Sequence, residues 1–244
     1  MITFIQAYKD VYNPVMTANG FARKGNIYHR LYNGKIIQLL SYTSFGDNCY
    51  TIQFEIYPLC SGYESETFID GERLSELLGM EYEWEYKNDE YLQQLPESLS
   101  LCQKHIFPYF DNCVDYRSYF ENTIKLHPGR YSRIVDKAIF YDIFLVLGNY
   151  EMAQKSMEAR IERTLGAWRN NWGTETHPSP SKQKEFEQMR DSYYLMKEAM
   201  DKNDREYIEA YINKNEEYSL ESYIETFQGK RAYKKYMEIK QSKR

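Results

Sequence analysis

The chain has 244 residues, enough for one large domain or two small ones, each with its own core. A composition that is 27% charged and 42% apolar excludes a disordered chain, and no run of about 18 apolar residues is available to span a bilayer. The net charge of −5 conceals a split, because residues 229–244 carry +6 and leave −11 for the remainder. So acidic a body repels nucleic acid and favours a basic partner, and only the basic tail could touch nucleic acid.

In chain order, Ile5, Tyr8, Tyr12, Val15 and Met16 recur at the spacing of one helical face. Pro14 is expected to kink or restart that helix, and Asn19-Gly20 to cap it in a left-handed turn. Residues 27–32 and 35–42 are apolar, β-branched runs on either side of Asn33-Gly34, the dipeptide that best tolerates the positive φ of a tight hairpin. A third strand alternates Tyr50, Ile52, Phe54 and Ile56 with Thr51, Gln53, Glu55 and Tyr57, which predicts one buried and one wet face, with residues 45–48 as the preceding turn. Asp70-Gly71 marks another turn, and Leu74, Leu77 and Leu78 a short helix. Glu81-Tyr82-Glu83-Trp84-Glu85-Tyr86 alternates acid and ring, so a strand there places carboxylates on one face and aromatics on the other.

From about residue 89 the periodicity is helical. Leu92, Leu95, Leu99, Cys102, Ile106 and Tyr109 trace one helix bounded by Pro96 and Pro108, and a second runs from Tyr116 to Leu126 before His127-Pro128-Gly129. Gly148-Asn149-Tyr150 divides residues 137–162 into two helices, and Asp204 marks a similar corner. Trp168 to Ser181 reads as a loop, and the chain ends in a basic helix. The pattern predicts an α+β fold: an N-terminal helix and antiparallel meander in residues 1–127, then a helical region over 128–244.

The front half resembles a family of bacterial domains catalogued as domain of unknown function 4304. The resemblance rests on Gly20-Phe21-Ala22-Arg23-Lys24-Gly25, then Tyr28 and Arg30, the Gln38 strand and the strand from Thr51 to Ile56, and it covers roughly residues 1–110. It implies a fold and no catalytic residues; immunity to a toxin enters by analogy with other small acidic bacterial proteins. Residues 138–159 look like one tetratricopeptide unit, although a solenoid stacks about three such units.

Several chemistries have no foothold. Gly20 and Gly25 have the spacing of a phosphate loop, but Lys24 precedes the second glycine and the order is helix then strand. Cys102 and His105 share a helical face without a second ligand pair, so no metal is expected, and no cofactor is implied. None of His29, His105, His127 and His177 lies in a nucleophile signature. Four cysteines are too few for a disulfide scaffold, and the N-terminus lacks a secretory pattern, so reduced thiols in a cytoplasmic, soluble protein are expected.

Two groups are candidate sites. Glu81, Glu83 and Glu85, with Tyr82 and Trp84, lie in residues 62–90, which hold ten acidic and two basic side chains. They could present a stripe to a basic protein, although charges on an edge strand also discourage pairing between chains. Arg23, Lys24, His29 and Arg30 gather beside the hairpin, as a basic strip or as members of a site. The expected function is a non-catalytic, protein-binding, immunity-like module with an acidic surface. The alternatives are a hydrolase-type or other enzyme with its site between sheet and helices, and a helical-repeat-like scaffold.

Overall fold

In the computed structural model of the chain, the described residues are 2–45, 49–62, 72–80, 84–85, 90–127, 129–169 and 179–242. The fold is α+β: a leading helix, an antiparallel sheet, then helices. Packing groups the chain into two compact units, one of residues 1–59, 63–118 and 218–244, the other of 60–62 and 119–217. The division therefore differs from a cut at 127/128, because the last segment packs with the sheet.

Helix α1 (Phe4–Ala18) starts at Thr3, whose hydroxyl accepts from the Gln6 N–H, and runs through Pro14 without a restart. Gly20 takes φ +79° after the Asn19 cap, as the sequence predicts. The sheet follows in the order β1 (Ala22–Lys24), β2 (Ile27–Tyr32), β3 (Ile36–Phe45), β4 (Cys49–Pro58), β5 (Glu72–Arg73), and β6 (Trp84–Glu85) also pairs with β4. Asn33 and Gly34 take φ of 49° and 66°, which sets the β2–β3 register at Tyr32 opposite Ile36 and Ile27 opposite Ser41. Strands β3 and β4 pair from Ile36↔Pro58 to Phe45↔Cys49, while residues 46–48 and Asp70-Gly71 lie outside the described residues. Helix α2 (Leu74–Leu78) follows β5 and ends at Gly79, φ +63°.

One face of the sheet is covered by α1, α3 (Tyr91–Leu101) and α4 (Phe107–Asn112) through an aromatic cluster. Tyr8 packs on Tyr28 and Tyr42, Phe4 on Tyr50, and Phe110 on Phe21 and Phe54. Pro96 sits inside α3, and the chain stays helical to Asn112. The irregularity is a π turn over Cys102–Ile106, just before Pro108, whose missing N–H cannot serve the Lys104 carbonyl.

The second face is not wet. Ile37, Leu39 and Leu59 are buried there against Tyr223, Ile224 and Phe227, with Tyr57, Tyr233 and Tyr236 alongside. These residues come from the end of α9 (Arg205–Tyr223), a π turn over Ile224–Gln228 and α10 (Lys230–Ser242). The β4 alternation missed this cover because its partners lie far away in sequence.

In the second unit, which takes up α5 (Tyr116–Leu126) from residue 119 onward, the chain passes through a 3₁₀ turn (Val135–Phe140) to α6 (Tyr141–Val146) and α7 (Tyr150–Arg169). Phe140 collects Phe120, Tyr131 and Phe144 around its ring. The α6–α7 corner and the corner between α8 (Pro180–Asp201) and α9 use one device. Gly148 (φ 68°) and Asn203 (φ 52°) turn left-handed, the next N–H reaches back to Phe144 or Ala199, and Asn149 or Asp204 caps the following helix. Trp168 belongs to α7 rather than a loop and packs edge-on against Phe186 at 4.7 Å.

Candidate functional site

Glu81, Tyr82 and Glu83 lie outside the described residues, and Glu85 is described only by its place in β6, opposite Cys49. Trp84 is buried and stacks on Tyr50 at 5.9 Å, so it serves as an anchor rather than a contact ring. Strands β5 and β6 both pair with β4, at Gln53–Phe54 and at Cys49–Tyr50, and so lie along the same margin of the sheet. The acid-rich stretch is fastened to that margin at two points.

The basic group of β1 and β2 is divided by the sheet, since successive side chains point to opposite faces. Arg23 and Arg30 face the α1 side, while Lys24 and His29 face the α9–α10 side. Arg30 is an internal clamp, its guanidinium lying between the rings of Phe21 and Tyr32, 4.5 and 4.4 Å away. Its Nε donates to Gln38 Oε1 (2.6 Å), one terminal nitrogen to the Asn19 carbonyl (2.6 Å) and the other to Asp111 Oδ1 (2.8 Å). Gln38, fully buried, passes the link on by donating to the Phe110 carbonyl at 2.7 Å. Thus Phe21, Arg30 and Gln38 tie the end of α1 to β2, β3 and α4. Arg23 is half-buried, with its side chain 6.0 Å from the Tyr28 ring.

On the other face His29 is buried rather than part of a surface strip. Its Nδ1 is 3.0 Å from the Tyr223 hydroxyl, and its ring stacks on Phe227 at 4.6 Å. Burial, and then the nearby Lys24 ammonium, lower its pKa to about 4, so it is neutral at pH 7. Lys24 donates to the Thr226 carbonyl.

Three of the four thiols, Cys60, Cys102 and Cys113, are buried and offer no nucleophile. Burial pushes Cys102 and Cys113 up to about 12 and raises Cys60 further, with help from the Asp142 charge. Cys102 lies 3.9 Å from the Tyr12 hydroxyl. Among the described residues, no group of three His, Cys, Asp or Glu side chains could hold a metal ion.

A second ionisable cluster lies in the second unit, where the sequence shows only Asp142 interrupting an apolar run. The Tyr211 hydroxyl donates to Asp142 Oδ1 at 3.0 Å. Tyr141 is buried, and its hydroxyl has no hydrogen-bond partner among the described residues. Desolvation raises Asp142 to about 6, and the Tyr211 bond only partly offsets it. The group holds a proton in mildly acidic solution but faces no activated nucleophile.

Comparison with family models, with curated proteins and with solved structures gives no match. No helix among the described residues is long and apolar enough to cross a membrane.

Proposed function

We propose that the chain is a non-catalytic protein-binding module, immunity-like in kind, that holds a basic partner along the acidic margin of its sheet. The observation that carries this reading is that two pieces of the acid-rich sequence, β5 (Glu72–Arg73) and β6 (Trp84–Glu85), pair with β4 along one margin. The stretch to which these two strands belong holds ten acids and two bases, a balance whose field favours a basic partner. The spending of Arg30 on the clamp and of His29 in the core supports binding over catalysis, because neither is placed to receive a substrate.

The test is a titration of the full chain with a dodecalysine peptide, read by calorimetry at rising salt. Binding should weaken steeply with salt, and reversal of Glu81, Glu83 and Glu85 to Lys should reduce affinity at least tenfold, since like charges across an interface repel. Unchanged affinity in that variant would refute the acidic-margin reading.

A further inference from the structure

The basic end of the chain demands a different explanation from the acidic margin. Cations are expected in the last turn of a helix, where the macrodipole favours them. In α10 only Lys240 occupies that turn among the described residues, and it is paired with Glu221. Lys230, Arg231, Lys234 and Lys235 occupy the first two turns, with no acidic residue in the first. The helix dipole opposes them there.

They also oppose one another. Lys230 with Lys234, and Arg231 with Lys235, are like-charge pairs four residues apart, about 6 Å along the axis. Such pairs destabilise a helix. All four side chains are exposed, and no ion pair with an acid is formed by any of them among the described residues. The opposite side of α10 is committed, since Ala232, Tyr233 and Tyr236 pack on the sheet core with Ile37 and Leu39. The patch is therefore held on a fixed surface and repelled from within, and the single acid of α10, Glu238, offsets one of its four charges at most. Helix stability does not account for it.

We infer that this face of α10 binds the sugar-phosphate backbone of a nucleic acid without reading its sequence. Two rows of cations spaced along a rigid helix suit a continuous line of phosphates, which neutralise the patch by releasing their counterions. An anionic membrane fits less well, because interfacial helices insert an apolar face, and Ala232, Tyr233 and Tyr236 of α10 are engaged with the sheet core and partly buried there. These residues are different from those of the acid-rich stretch, so this inference stands apart from the function proposed above.

The experiment measures fluorescence anisotropy of a labelled 20-base-pair duplex with the full chain between 50 and 200 mM NaCl. Four phosphate contacts predict a log–log slope of about −3.6, an affinity loss of roughly 150-fold over that range. The K234Q/K235Q variant should show a slope of about −1.8 and lose only about 12-fold. Neutralising all four cations should abolish binding and raise the melting temperature, because the internal repulsion goes with them. A slope unchanged in K234Q/K235Q overturns the inference. So does the absence of duplex binding at 50 mM salt, or binding to phosphatidylserine vesicles as tight as to the duplex. The Glu81, Glu83 and Glu85 reversals should leave the slope in place, which separates the two surfaces.

Discussion

Arg30 in the first unit and Asp142 in the second are both charged groups withdrawn from bulk water, but they are served very differently. Arg30 has each of its three nitrogens donating and a ring on either side, so its charge is solvated by the protein itself. Asp142 receives one hydrogen bond from Tyr211, faces no cation that shifts it, and is pushed toward its neutral form. A saturated network fixes elements in place, whereas a half-served carboxyl makes its surroundings depend on pH.

The contrast breaks most visibly at Arg30. Arg30→Ala leaves Gln38 Oε1 without its donor and removes both ring contacts, and it should destabilise the protein by roughly 3 kcal/mol. Arg30→Lys should recover little of this, because an ammonium cannot serve three acceptors from between two rings. Urea titration would check both, and a loss below about 0.5 kcal/mol would show that the clamp is ornamental.

His29 sharpens the comparison within the first unit. Its folded pKa of about 4 lies below the ordinary value near 6.5, so above pH 6.5 it is neutral folded and unfolded alike and contributes no pH dependence. As pH falls toward 4 the unfolded chain takes up the proton first, and stability should drop by about 3 kcal/mol. His29→Asn, although less stable at pH 7, should lack that slope in denaturation curves recorded between pH 7 and 4.

Asp142 gives the smallest effect and the opposite sign. Its pKa is raised to about 6, so the destabilisation grows as pH rises from 3.8 and is complete above 6. Discounted for its half-buried position, Asp142→Asn should stabilise by about 2 kcal/mol at pH 7.5 and by nothing at pH 3.5. Equal stability of the two proteins at pH 7.5 would remove the contrast with Arg30.

The local parts of this fold were legible because each rests on short-range chemistry. Asn33-Gly34 needs positive φ, Gly148-Asn149 stops one helix and caps the next, and the β4 alternation exposes a period of two. The missing parts are non-local. Nothing near His29 announces Tyr223 and Phe227, and nothing near Arg30 announces Asp111, although the two-residue period of the strand already sets the two side chains on opposite faces. Prolines misled for a related reason. Pro14 and Pro96 each remove one hydrogen bond, and packing of α1 against α3, with Tyr12 bonded to Ser98 at 2.8 Å, is enough to keep both helices going. Of the candidate site, the clustering of acids was plain in the sequence, while Asp142 left only the trace of one polar letter in an apolar run.

The return of the chain to cover the sheet has a consequence for biosynthesis. Ile37, Leu39 and Leu59 leave the ribosome before the second unit is made, yet Tyr223 and Phe227, which shelter them, are translated only after it. The nascent protein must keep one side of a finished hairpin bare while the intervening helices are made. That interval is when a holdase chaperone has an apolar surface to grip, and a chain released before residue 223 would never conceal it.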